Sequence, residues 1–295
     1  MSDRLCLVLH RKSANEDYVK AAVKHVRGKG IKLRVRIPWN KKDKPRVVKE
    51  ALKAGAERII AGGGDGTINA VVNALVGKGK KPAKAELGVL PLGTANDFAH
   101  GLGLPVEDLG RCLEIACTAD ARPTDVGRCN DRSFINVTSG GFGSEITATT
   151  PVEVKKRLGG AAYTITGFLK VFGMNPYPVR LLVPGEEPVS ADMLFLAVGN
   201  NRLAGGGFAV AEHAVMDDGL LDLASVNHVP GMGLAELKAE LDDPRAATNR
   251  MLNYRQLPAF TIEAPEGVHF NLDGEPALLT EARFSVLPQH LKVAY

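Results

Sequence analysis

Apolar and polar positions change period along the first 125 residues, with short continuous apolar runs alternating with stretches in which apolar residues recur every three or four positions. The runs predict strands at Cys6–Leu9, Leu33–Ile37, Arg58–Ala61 and Leu87–Leu90. The longer spacing predicts helices from about Asp17 to Gly28, through Val47–Ala54 and over Thr67–Val76. Strands alternating with helices in this way imply a parallel, doubly wound sheet. Beyond about Thr124 the texture shifts to short strands separated by Gly/Pro turns: Phe134–Val137, Val179–Val183, Met193–Val198, Leu220–Val226, Phe260–Glu263 and Phe284–Leu287. That pattern predicts an antiparallel β-sandwich, interrupted by one helix over Val152–Phe172. The expected fold is therefore α/β plus β, with an α/β domain over 1–125 and a β-sandwich domain over 126–295. No repeat or low-complexity run is visible.

With 295 residues, 45% of them hydrophobic and 24% charged, the chain is large enough for two separate cores. It has no run of about eighteen apolar residues, so no transmembrane segment is expected. Met1-Ser2-Asp3-Arg4-Leu5 leads directly into the first strand without a leader's apolar core, and the expected location is the cytoplasm. The four cysteines lack Cys-x-x-Cys spacing and the seven histidines form no His-Glu-x-x-His set, so a metal-hydrolase reading has no support and reduced thiols are expected. The charge is uneven: residues 1–84 carry 21 Lys/Arg against 7 Asp/Glu, the remainder 16 against 26. A basic surface of this kind suits anionic lipid headgroups or nucleic acid, or is simply a solvated face. With aromatics at 5% and no nucleic-acid motif, no nucleic-acid partner is expected.

The most specific chemistry lies at Ile59-Ile60-Ala61-Gly62-Gly63-Gly64-Asp65-Gly66-Thr67-Ile68-Asn69, where a strand enters a helix almost entirely through glycine. Backbone N–H groups there can approach an anion closely, and the helix adds its positive dipole end. Neither a Gly-Lys-Ser/Thr ending nor Gly-x-Gly-x-x-Gly is present, which argues against P-loop NTPases and dinucleotide dehydrogenases. Asp65 suits holding Mg²⁺ or orienting a phosphate-bound water, as a kinase requires. A glycine-rich turn without a ligand is the competing reading. A second strand, Leu87–Pro91, opens into Leu92-Gly93-Thr94-Ala95-Asn96-Asp97-Phe98-Ala99, and in an open α/β sheet both strand ends face one crevice. Helix capping by Asn96 or Asp97 is the plainer alternative there.

Gly-Gly-Gly-Asp-Gly-Thr-Ile-Asn and Pro-Leu-Gly-Thr-Ala-Asn-Asp-Phe-Ala resemble the motifs of the diacylglycerol kinase catalytic-domain superfamily, and specifically its bacterial YegS-like lipid kinases. Phe134-Ile135-Asn136 with Gly140-Gly141-Phe142-Gly143, Gly199-Asn200 with Ala204-Gly205-Gly206-Gly207, Asp218-Gly219-Leu220-Leu221 and Phe270-Asn271-Leu272-Asp273-Gly274-Glu275-Pro276 follow in family order, so the resemblance spans nearly the whole chain.

The resemblance implies an ATP-dependent transfer of the γ-phosphoryl group to a glycerolipid hydroxyl, with phosphatidylglycerol or diacylglycerol as acceptor class and Mg²⁺ as cofactor. It implies an active site in the cleft between the domains and a C-terminal end able to fold back on the first. ATP contacts are expected at Gly63, Gly64, Asp65, Gly66, Thr67, Ile68, Asn69 and Thr94. A further contact is expected at Pro38, where relatives can carry a threonine whose hydroxyl this chain lacks. Glu275 is implied as the proton acceptor and, with Asp65, makes the catalytic pair; the carboxylate of the nearby Asp273 suits support of either the geometry or the metal. A second Mg²⁺ is implied at Asp218 with the backbones of Val215 and Leu220. Peripheral, transient contact with an anionic membrane is expected through the basic first domain and the Lys155-Lys156-Arg157 cluster leading into Tyr163–Phe172. A homodimer is compatible with these features. An NAD kinase-like enzyme and a catalytically idle lipid-binding relative are the alternatives.

Overall fold

Cys6, Leu7, Val8 and Leu9 are at most 2% exposed, the continuous apolar run that a strand covered on both faces requires. They form most of β1 (Leu5–Leu9), from which the chain runs through α1 (Asp17–Gly28) to β2 (Leu33–Arg36), α2 (Lys44–Lys53), β3 (Arg58–Gly63), α3 (Asp65–Val76) and β4 (Glu86–Pro91). The computed structural model describes residues 4–79, 81–141, 175–272 and 275–295. The four strands are parallel in the order β4-β3-β1-β2. Connections therefore diverge on either side of the β1/β3 pair, which makes that pair the switch point of a doubly wound sheet.

Two short helices follow, α4 (Asp97–Gly101) and α5 (Leu109–Thr118). The sequence pattern led into α4 but not to α5, which is started by Asp108 accepting the Arg111 N–H at 2.9 Å and buries Cys112, Leu113, Ala116 and Cys117. α5 packs on α1, and α2 on α3; Lys29 Nζ meets Glu114 Oε2 at 2.8 Å across the first pair. All four cysteines are buried and free. Burial pushes the Cys112 and Cys117 thiols up to about 11 and Cys129 to about 12.

The chain divides into two units, Met1–Val126 with Leu287–Tyr295, and Gly127–Val286. In the first, the returning C-terminal residues complete the sheet beside β4: Val293 pairs in parallel with Leu87, Gln289 N–H donates to Asp125 Oδ1 at 2.7 Å, and the Arg122 guanidinium lies 4.7 Å from the Tyr295 ring centroid.

β5 (Ala121–Cys129) leads into the second unit, which holds β6 (Arg132–Phe134), β7 (Val137–Gly140), β8 (Tyr177–Leu182), β9 (Val189–Gly199), the small pair β10 (Leu203–Ala204) and β11 (Phe208–Ala209), and β12 (Leu221–Asn227). α6 (Leu234–Leu241), β13 (Leu252–Leu257), β14 (Ala259–Leu272) and the part of β15 (Glu275–Ala294) before Leu287 complete it. Strands run antiparallel in the order β13-β12-β9-β7-β14-β15, with β8 paired to β9 and β14. Phe260 stacks on Phe284 with centroids 5.0 Å apart, and Phe270 and Phe134 close the same core.

Three expectations change here. The strand expected over Phe134–Val137 breaks into β6 and β7, because the Ile135 and Asn136 carbonyls accept from Asn200 Nδ2 (3.1 Å) and Asn200 N (2.9 Å), not from a ladder. β14 and β15 are far longer than the runs at Phe260–Glu263 and Phe284–Leu287. Pro265 reads as a strand break but falls at a register shift between Glu263 and Val268, where a proline costs no ladder bond. α6, capped by Glu236 Oε2 accepting the Gly233 N–H at 2.8 Å, was not anticipated. The expected helix over Val152–Phe172, with Lys155, Lys156 and Arg157, lies outside the described residues, as do Phe142, Gly143, Asp273 and Gly274.

Candidate active site

Strand register sets the site. Leu9, Gly62 and Leu90 stand side by side across β1, β3 and β4, and His10 N–H donates to Gly62 O at 2.7 Å. The loops leaving β3 and β4 thus start from one edge, at the carboxyl ends of the strands and next to the switch point. They then touch. A methyl built on Gly93 would meet Gly64 Cα at 2.5 Å and Asn96 Oδ1 at 2.9 Å, and one on Gly64 would meet Gly93 Cα at 3.0 Å. Glycine is required at this crossing by the close approach of two backbones.

Each loop is closed locally. Thr67 N–H and Ile68 N–H donate to Gly64 O at 2.7 and 3.2 Å, turning the chain into α3. In the other loop Asn96 adopts the left-handed conformation at φ 51°, and its amide replaces a peptide: Oδ1 accepts Gly93 N–H at 2.8 Å and Nδ2 donates to Gly93 O at 3.0 Å. Asp65 then joins the two loops. Its Oδ1 accepts Phe98 N–H at 3.0 Å and its Oδ2 accepts Asp97 N–H at 3.3 Å, at the start of α4. A carboxylate suits that end of a helix, where orphan amides and the dipole favour negative charge. Asp65 is thereby a fastener between the two motifs, a role its place in the glycine run did not reveal.

The remaining predicted residues divide. Gly63 lies under Thr67, whose Oγ1 a methyl there would meet at 2.5 Å. Gly66, in the first turn of α3, and Thr94, in the loop after β4, are exposed. Ile68 turns a fully buried side chain into the core, so any ligand contact from it is confined to its backbone. Asn69 accepts from Asn73 Nδ2 through both O (3.0 Å) and Oδ1 (2.8 Å). Pro38 is buried, between exposed Ile37 and Trp39, which fits packing in place of the missing hydroxyl. Sequence reasoning missed Lys44: it opens α2, is 5% exposed, and its Nζ lies 3.2 Å from Thr67 Oγ1. The available signal was a lysine at a helix start, where the dipole disfavours a cation.

In the second unit, Asp218 Oδ1 accepts Leu220 N–H at 2.9 Å across the Gly219 turn, and Val215 is 47% exposed. Asp222, fully buried, accepts from Tyr254 Oη and Gln256 Nε2. Burial raises the pKa of Asp222, the neighbouring Asp218 charge adds to the rise, and the hydrogen bonds from Tyr254 and Gln256 oppose it. No group of three or more His, Cys, Asp or Glu side chains placed to hold a metal occurs among the described residues. Glu275 opens β15, with its backbone paired to Leu272.

Asp65→Asn tests the fastener. Asparagine keeps the shape but loses the charge and one acceptor, and hydrogen bonds to charged groups contribute about 1.5–3 kcal/mol. Turnover with ATP should fall roughly tenfold or more, and a folded variant with wild-type turnover would contradict the role.

The sequence matches two family models in order: the diacylglycerol kinase catalytic domain over residues 4–129, and the YegS C-terminal NAD kinase beta sandwich-like domain over residues 137–295. A protein of Chromohalobacter salexigens named "Probable lipid kinase YegS-like" is 42% identical over 98% of this chain and 92% of its own. A protein of the same name from Pseudomonas aeruginosa is 41% identical over 99% of this chain and 94% of its own. Among solved structures, one described as a diacylglycerol kinase of Bacillus anthracis superposes with a TM-score of 0.74 at 18% identity, covering 99% of this chain and 97% of that one; this likeness concerns the fold. Glycine loops fastened at one sheet edge, both family models in sequence and relatives matched along nearly the whole length lead to one conclusion: this kinase belongs to the YegS-like group of the diacylglycerol kinase catalytic-domain family.

Proposed function

We propose that the protein transfers the γ-phosphoryl group of ATP to a hydroxyl of a glycerolipid, with phosphatidylglycerol or diacylglycerol as acceptor class. The observation that carries the reading is the junction of the two glycine loops, touching at Gly64 and Gly93 and fastened by Asp65. Phosphoryl transfer depends on phosphates held rigidly in place and on an oriented hydroxyl. The first turn of α3 offers backbone N–H groups and a positive dipole end to the phosphates, and Thr67 and Thr94 add hydroxyls. Glu275 accepts the proton of the lipid hydroxyl as it attacks. The relatives' printed name supports the lipid acceptor, and the basic first part of the chain suits an anionic membrane surface.

The donors around Asp218 fit Mg²⁺ in kind, being a carboxylate and the backbone carbonyls of Val215 and Leu220, all oxygen. Held there, an ion would offset the carboxylate charge of Asp218. Asp218→Ala should lower the Mg²⁺-dependent rise in melting temperature; a variant with the wild-type rise would remove the site.

The test of the function is purified protein given γ-labelled ATP with phosphatidylglycerol, diacylglycerol and NAD in separate reactions. Label in a glycerolipid is expected. Label in NAD alone would reverse the assignment toward the NAD kinase reading, which the description of the C-terminal family model keeps in view.

A further inference from the structure

We infer that Lys44 is a positioning residue for the nucleotide phosphates, acting through the hydroxyl of Thr67. The inference rests on the nucleotide reading of the glycine loops. A buried ammonium is costly, and a neutral side chain of similar length would fill the same space without that cost. Lys44 is nonetheless 5% exposed, at the first residue of α2, where the helix dipole also opposes a cation. The use of this ammonium is read from the site its Nζ contacts.

That site is the glycine loop. Lys44 Nζ donates to Thr67 Oγ1 at 3.2 Å, across 23 residues of sequence, and Thr67 is itself 4% exposed. The Thr67 hydroxyl sits against Gly63, close enough that a methyl there would overlap it, while its own N–H is held by Gly64 O. An ammonium can only donate, so Thr67 Oγ1 accepts from Lys44 and its single proton is directed to another acceptor. At the start of α3 an anionic phosphate oxygen is the acceptor this geometry suits. Lys44 thus sets the direction of the Thr67 hydroxyl and adds positive potential beneath the loop, in a setting where burial strengthens both effects.

The test measures the affinity of a non-hydrolysable ATP analogue and of adenosine, with melting temperature, for the full-length protein and for Lys44→Met, Thr67→Val, Thr67→Ser and the Lys44→Met/Thr67→Val pair. Lys44→Met should weaken the analogue roughly tenfold or more, the loss of one charge-assisted hydrogen bond, and leave adenosine unchanged. Thr67→Ser should retain the affinity, and the double variant should be no weaker than the worse single one, since both act through one contact. If Lys44→Met does not fold, Lys44→Gln carries the same comparison. Equal loss of analogue and adenosine, or a lowered melting temperature with unchanged analogue affinity, would reduce Lys44 to a structural role. Wild-type protein that binds no analogue would overturn the nucleotide reading itself, and the inference with it.

Discussion

Gly93→Ala is expected to abolish turnover almost completely. The added methyl would lie 2.5 Å from Gly64 Cα, which is backbone, and 2.9 Å from Asn96 Oδ1, a side-chain atom pinned to Gly93 by the two amide hydrogen bonds. Relief requires the loops after β3 and β4 to separate. The amides of Asp97 and Phe98 would then draw away from Asp65. Overpacking of this kind costs about 1–3 kcal/mol in stability, tolerable for a domain of this size, whereas misplacing phosphate contacts by about 1 Å costs on the order of a hundredfold in rate. The measurement is steady-state kinase activity alongside a melting curve. A folded Gly93→Ala protein with more than about a tenth of wild-type turnover would contradict the close-packed junction.

Glu275→Gln should have the other large effect, of a different kind. Glutamine cannot accept a proton, so turnover should fall by about 10²–10⁴-fold, the usual contribution of general-base catalysis. Affinity for an ATP analogue should stay the same, because the contacts proposed for the nucleotide lie in the first unit and Glu275 opens β15 in the second. Weakened analogue binding with undiminished turnover would remove Glu275 from the role of base.

The parallel sheet was legible because its strands must be apolar on both faces. Ile59, Ile60 and Ala61 are fully buried in β3, and no antiparallel reading of such a run was needed. α1 occupies the bounds its spacing predicts, Asp17–Gly28. The two loops were legible as phosphate-binding candidates from glycine alone. What the sequence could not convey was their joint: Asp65 meets Asp97 and Phe98 across 32 and 33 residues, and no local pattern encodes a partner that distant. Lys44 was hidden for the same reason, as one basic residue among many in a lysine-rich stretch. In the second unit, Asn136 and Asn200, which carried the family resemblance, bond in the interior together with the neighbouring Asn201, whose Nδ2 donates to Asn136 Oδ1 at 2.9 Å. Their place in the motif therefore reflects at least a structural duty, splitting one expected strand in two. Long strands were read as short ones wherever proline interrupted them.

If the loops after β3 and β4 form one phosphate site, a nucleotide protects both at once. Hydrogen exchange of the full-length protein, with and without a non-hydrolysable ATP analogue, reads this. Exchange should slow in segments 62–69 and 91–98 together, with the effect lost in Gly93→Ala. Protection of one segment without the other, or protection confined to residues 127–286, would contradict it.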